Sequence, residues 1–221
     1  GPDRLIHDPA VNHYIFNQTG NDWYTNVAVS TNLYYFYAKL IWLGKYLTDC
    51  IEQWRSFLYI SFLSIQYFAI AKISEELTGK HVLGITVILL HTITFATIGN
   101  PWVYGMFLQI DGGLAPRTIS NAIGLIAFYL FMINRERVAS SLLGLASLVH
   151  VSNTLIVFMM LLVSKIYTLR NSHLTTLKTS FKYSMLNLIC YVICGGWFVL
   201  VVYFSTENHL PIDKNYVMWL W

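Results

Sequence analysis

Polar and apolar positions along this 221-residue chain fall into long blocks, not into the alternation of half-buried strands. Residues 81–110 contain no Asp, Glu, Lys or Arg, and neither do 138–164, 183–206, 118–134, 56–71 and 23–38. A helix needs about 20 residues to cross a hydrocarbon core of ~30 Å. Helices also satisfy their own backbone, which lipid demands. Segments such as Ile85–Leu90 and Leu155–Val163 are too evenly apolar for the period-two pattern of a barrel strand. The blocks therefore predict an all-α, multi-pass transmembrane protein. Crossing helices are expected at 54–71, 82–98, 117–133 and 183–204. Residues 28–47, crowded with Tyr34, Tyr35, Phe36, Tyr37 and Trp42, read as an amphipathic helix lying in the interface. The competing reading, a true span with a cytoplasmic N-terminus, is opposed by Asn32, Lys39 and Lys45. Asn100-Pro101, Asp111-Gly112-Gly113 and Pro116 mark 99–116 as a loop.

The stretch 138–164 admits two readings. As one helix it would be about 40 Å long and strongly tilted. Its middle, His150-Val151-Ser152-Asn153-Thr154, is instead a polar patch suited to a break, giving two short helices in a hairpin. Cytoplasmic loops carry an excess of Lys and Arg. The hairpin puts Lys72, Lys80, Arg135, Arg137, Lys165, Arg170, Lys178 and Lys182 on one side, against Lys45, Arg55, Arg117 and Lys214 on the other. A single crossing leaves no such bias, so short broken helices with a break near 149–154 are expected. The domain plan is then an outer-face loop at 1–27, the interfacial helix at 28–47 and a transmembrane helical domain at 48–204. Residues 205–221 form a second outer-face loop and the start of a further segment. Eight of the 11 acids fall on the outer face in this plan.

Composition narrows the classes. Apolar residues make up 56% and charged residues 11%, against about 25% charged in a soluble domain. A soluble globule is excluded, and so is a disordered chain. Three Cys build no disulfide framework. A net charge of +3, scattered along the chain, does not suit nucleic acid. No signal peptide is visible at the start. Gly1-Pro2 reads as a cleavage scar, and the aromatic ending Tyr216–Trp221 as the beginning of another segment, so the chain is expected to be a piece of a longer protein.

The opening His7-Asp8-Pro9-Ala10-Val11-Asn12-His13-Tyr14 is followed by Gly20-Asn21-Asp22-Trp23-Tyr24. It resembles the first large outer loop of GT-C membrane glycosyltransferases, in which an acid and then a Tyr precede a Gly-Asp-Trp-like turn. Here Pro9 follows Asp8, and Tyr14 comes two positions late. Asp111-Gly112-Gly113-Leu114-Ala115-Pro116-Arg117 and Gly144-Leu145-Ala146-Ser147-Leu148-Val149-His150 resemble an uncharacterised family of bacterial multi-pass proteins with GT-C-like organisation. The likeness is strongest over residues 100–165. It implies a GT-C-like partial bundle in a bacterial plasma membrane, with a sugar transferred from a polyprenyl-phosphate donor at the outer face. Asp8 or Asp22 would be the catalytic carboxylate, acting on an acceptor hydroxyl as general base. Arg117, with Gly112 and Gly113, would bind the phosphate.

The residues themselves leave alternatives. Asp8 and Asp22 suit turn formation, and Arg117 suits an interfacial Arg that snorkels or pairs with Asp111. Arg117 also opens a helix, where free N–H groups and the positive dipole end favour a phosphate. His150 and Asn153 are intramembrane polar candidates, with His150 equally suited to bonding freed carbonyls at a break. His91, flanked by Thr92 and Thr94, suits a helix–helix hydrogen bond. Cys190 and Cys194 read as buried thiols. No His, Cys, Asp or Glu grouping has metal-ligand spacing, and no cofactor is implied. Expected partners are membrane lipid and a polyprenyl-phosphate sugar, with oligomeric state left open. Two rival functions remain: a transporter or flippase component built on broken helices, and a structural membrane subunit without catalysis.

Overall fold

The computed structural model describes residues 35–48, 50–98, 114–171 and 177–209, and among these every regular element is helical. In chain order the helices are α1 (Tyr35–Leu47), α2 (Ile51–Thr78), α3 (His81–Ile98), α4 (Pro116–Met132), α5 (Glu136–Ser147), α6 (Val151–Asn171), α7 (Leu177–Tyr191) and α8 (Phe198–His209). A π-helical turn at Val192–Gly196 joins α7 to α8.

Local signals set the helix boundaries. Gly79 takes a left-handed φ of 68° and its N–H closes on the Glu75 carbonyl at 2.7 Å, which ends α2. Pro116 opens α4 in its first turn, where a missing N–H costs nothing. Asn134, the one non-glycine with positive φ among the described residues (58°), turns the chain between α4 and α5.

Cross-helix pairs fix the directions. Leu58 of α2 shares a buried cluster with Ile119 of α4, and Lys72 lies within electrostatic reach of Tyr129, so α2 and α4 run parallel. Asn153 bonds Asn121 and Lys165 bonds Asn134, so α6 also runs parallel to α4. The short α5 returns between them. Tyr191 stacks on Phe158 at 4.2 Å between ring centroids, while Lys165 sits over the Tyr183 ring, so α7 runs opposite to α6. One end of the bundle, here the upper end, holds the starts of α2, α4 and α6. The lower end holds the turns at Gly79–Lys80 and Ile133–Arg135.

The core lies in three buried clusters. The lower one joins Ala127, Phe131, Ala139, Leu143, Phe158, Leu161 and Tyr191. The upper one joins Tyr37, Ala38 and Ile41 of α1 to Leu58 and Ile119, with Val149 packed against it. A third seats Phe198 and Val202 of α8 on Val151. The first helix is held across the start of α2 by Trp54, whose Nε1 donates to the Leu40 carbonyl at 2.9 Å. Gly44 makes room, since a Cβ there would run into the Trp54 indole.

Two stretches are long and apolar enough to cross a membrane: α2, and Val151–Thr168 within α6. A third qualifies if Phe181–Gly196 and Phe198–Phe204 count as one bent span. In the most apolar windows of α2 and α6 only 22% and 28% of residues are buried inside the protein. Phe57, Ile60, Phe68, Ile85, Met160 and Val163 are all more than half exposed. Large contiguous apolar surface of this kind is unusual on a water-facing protein and suits contact with lipid.

Several expectations shift. The stretch 138–164 does break into two antiparallel helices, but at Leu148–His150, and α6 has already begun at Val151. This return gathers Lys72, Lys80, Arg135, Arg137 and Lys165 at the lower end, the grouping on which the hairpin reading rests. The crossing expected at 183–204 is not straight. It bends by 64° where Gly195 adopts φ 147° inside the π turn, a conformation that glycine tolerates and other residues resist. Residues 205–209, assigned above to a loop, continue α8. Of 28–47, the described part is the 13-residue α1. At about 20 Å it is shorter than a hydrocarbon core.

Candidate functional site

The site is built on the first turns of α4. Ala115 is extended, and its N–H donates to the Thr118 Oγ1 at 3.2 Å, while the Thr118 N–H returns to the Ala115 carbonyl at 3.0 Å. Tyr37 donates its hydroxyl to the Leu114 carbonyl at 2.9 Å, which ties α1 to the segment entering α4. Arg117 follows, half-buried. Asn121 lies one turn further along the same face and is only 3% exposed.

The break before α6 brings the second polar group to this place. Asn153 donates its amide to Asn121 Oδ1 at 3.1 Å. The His150 carbonyl accepts from Thr154 Oγ1 at 3.0 Å, and Ser152 Oγ lies 3.4 Å from His150 Nδ1. The His150–Thr154 patch is therefore not at the midpoint of a long span. It sits at the tip of a hairpin, beside a residue only about 6 Å along α4 from Arg117. The two polar features that the sequence presented as rival sites form one rim at the upper end.

A second guanidinium belongs to this end, and the sequence reading passed over it as a loop charge. Arg55 is 9% exposed, with Glu52 3.6 Å away. It lies one turn before Leu58, which packs in the same cluster as Ile119, two residues after Arg117. The signal was available: an Arg inside the first turns of an otherwise apolar helix.

The lower end holds a polar cluster that the sequence reading also missed. Lys165 Nζ reaches Glu136 Oε1 at 2.8 Å and donates to Asn134 Oδ1 at 3.0 Å, with both side chains of the ion pair largely buried. Burial alone would raise the Glu136 carboxyl. The Lys165 ammonium and the neighbouring Tyr183 hydroxyl outweigh it and hold the carboxyl below its ordinary 4.5. Residues 136 and 165 are 29 apart, and only the return of α5 brings them together.

Asp8, Asp22, Gly112 and Gly113 lie outside the described residues, as does the His91 side chain. Cys190 and Cys194 are half-buried free thiols. Among the described residues no three His, Cys, Asp or Glu side chains are grouped to hold a metal. The arrangement at the start of α4 suits an anion with a polar neighbour: the Arg117 guanidinium for charge, a helix start for its dipole, and amides for neutral hydrogen bonds. No family model, curated protein or solved structure matches the chain.

Proposed function

We propose that this protein is a multi-pass membrane protein that binds the phosphate of a polyprenyl-phosphate-linked sugar at its upper end. We further propose that it acts there as a GT-C-like glycosyltransferase at the outer face of a bacterial plasma membrane. One observation carries the reading: the start of α4 with Arg117 and the Asn121–Asn153–His150 group lie on a single rim. A helix start with a guanidinium is the kind of place where a lipid phosphate would be held, and this supports the reading.

The catalytic half rests on the resemblance of the opening segment. Asp8 or Asp22 would accept the proton of the acceptor hydroxyl as it attacks the anomeric carbon, while Arg117 stabilises the departing lipid phosphate. The chain itself supplies binding, orientation and a base in this scheme, with no cofactor invoked.

A transport reading draws on the 64° bend in α7–α8, since discontinuous helices build many carrier sites. Such sites lie near mid-depth. The polar groups here cluster at helix starts, and this favours the headgroup reading.

The test is binding of a polyprenyl monophosphate to the purified protein in nanodiscs. Arg117→Ala should weaken binding strongly, and Asp8→Asn and Asp22→Asn should leave binding intact while abolishing sugar turnover. Equal affinity in wild type and Arg117→Ala would remove the phosphate site. Full turnover in both acid variants would remove the glycosyltransferase assignment.

A further inference from the structure

The lower end of the bundle carries more positive charge than the fold itself uses. Among the side chains described there, Lys72, Lys80, Arg135, Arg137, Lys165 and Lys182 stand against Glu75, Glu76 and Glu136. Two of these three carboxylates are already taken. Glu136 is held by Lys165 at 2.8 Å, and Glu75 Oε2 lies 3.0 Å from both Lys72 Nζ and His81 Nδ1. The ion pairs formed among the described residues leave out Lys80, Arg135, Arg137 and Lys182, and all four are exposed.

Three of the four gather at one place. Arg135 caps α5 directly after the Asn134 turn, and Arg137 lies in the first turn of that helix. Arg137 is within electrostatic reach of the Tyr183 hydroxyl, and Lys182 is the residue before Tyr183 on α7. The same hydroxyl lies beside Glu136, and Lys165 Nζ stands 6.0 Å from the centre of the Tyr183 ring. The internal pair therefore fills the inner side of this junction, and three further cations stand outside it. Like charges gathered around one side chain repel, and an anion placed among them removes that cost.

Each of these cations borders exposed apolar surface. Val138, next to Arg137, is 51% exposed, and Phe181, next to Lys182, is 67% exposed. From Phe181 a row of exposed apolar side chains climbs one face of α7 through Met185, Leu188, Ile189 and Ile193. A small soluble anion makes no use of such a row. An amphipathic anion uses both features: its phosphate meets the guanidinium groups, which suit bidentate contact, and its chain lies along the helix.

We propose that Arg135, Arg137 and Lys182 hold the headgroup of an anionic phospholipid in the lower leaflet, with its acyl chain against the Phe181–Ile193 face of α7. An excess of Lys and Arg marks the cytoplasmic side. Anionic lipids give that leaflet its negative potential, and each Lys or Arg near the surface strengthens attraction to it about fivefold. The site is at the opposite end of the bundle from the Arg117 rim. Its occupant is a lipid of the surrounding membrane and takes no part in sugar transfer.

The experiment is native mass spectrometry of the full chain in detergent, titrated with phosphatidylglycerol or phosphatidylcholine of matched acyl chains. Both lipids carry a phosphate, and only the first has a net negative charge. Wild type should hold one phosphatidylglycerol more tightly than phosphatidylcholine by about tenfold or more. The triple variant Arg135→Gln, Arg137→Gln, Lys182→Gln should bind the two lipids equally. Lys39→Gln, which removes an exposed cation from α1 at the upper end, should keep the preference. If the triple variant is not monodisperse, Arg137→Gln and Lys182→Gln singly decide the matter, each with an expected loss of about fivefold. Equal affinity for the two lipids in wild type overturns the proposal. So does a preference that survives in the triple variant, which would put the anion elsewhere. Inorganic phosphate added in excess should leave the lipid bound; displacement would show a free-anion site and overturn the assignment to lipid. No polyprenyl phosphate is present and Arg117 is unaltered throughout, so failure here and failure of the phosphate-binding test are separate outcomes.

Discussion

Asn153 on α6 gives its amide hydrogen to the Asn121 carbonyl oxygen on α4 at 3.1 Å, and Asn121 is almost entirely enclosed. This contact sets the register of the hairpin against α4. Asn153→Ala removes the donor and leaves an enclosed acceptor unpaired, a loss of about 1–3 kcal/mol. Replacing both residues with Leu should recover part of it, because the unpaired group is then gone. Thermal unfolding of the two variants in detergent checks the order: the single substitution should melt below the double one.

Lys165 and Glu136 should behave differently when separated than when removed together. Lys165→Met strands a largely buried carboxylate, at a cost of about 3–5 kcal/mol. Lys165→Met with Glu136→Leu should approach wild type. Loss of stability in the double variant equal to that in the single one would show the pair to be a net stabiliser in its own right.

The same carboxylate gives a pH dependence with a definite sign. Its folded pKa lies below the ordinary 4.5, so the unfolded state binds the proton first as pH falls. The stability it contributes is full above about pH 4.5 and is lost as pH drops below that value through the folded pKa. Melting temperature followed from pH 7 to pH 3 should fall less steeply in Glu136→Gln, which begins lower, than in wild type.

Gly144 and Gly195 are predicted to accept no side chain. A Cβ at Gly144 meets the Tyr191 carbonyl, and one at Gly195 meets the Gly144 carbonyl, with φ at 147° adding backbone strain. Gly144→Ala and Gly195→Ala should each cost about 1–3 kcal/mol through overpacking. Gly79→Ala meets open space and strains only the φ of 68°, so it should be the mildest of the three. Comparative expression and melting temperatures rank them.

Sidedness follows from the helix directions. Cysteines placed at Thr78 and Asn134 should react with an impermeant thiol reagent from the same face of an oriented membrane. A cysteine at Thr48 should react from the other face. Labelling of Thr78→Cys and Asn134→Cys from opposite faces would contradict the parallel course of α2 and α4.

Much of the helical layout is legible in the sequence because charge is excluded from apolar environments one residue at a time. The ends of α2, α3 and α4 lie near where Gly79-Lys80, Asn100-Pro101 and Pro116 interrupt the apolar runs. The break at Leu148–His150 was announced by His150, Ser152 and Asn153, although local polarity placed it a few residues too late. The bend at Gly195–Gly196 was missed because two glycines within an apolar run look the same as a straight close-packed helix. The contact with Gly144 that gives them their role is made some fifty residues away. Glu136 with Lys165 and Asn121 with Asn153 are likewise products of folding back. No local pattern carries them.

The bend has a mechanical consequence. Helix α8 is 12 residues long, about 18 Å. Set at 64° to α7, it advances only about 8 Å along the direction of that helix and about 16 Å sideways. Phe198 and Val202 seat on Val151, and Phe198 meets Phe36 of α1 edge-on, so α8 lies against the starts of α6 and α1 instead of prolonging α7. The bend thereby turns the end of one helix into a clasp on two others, and what holds Gly195 in its turn also holds α1 in place.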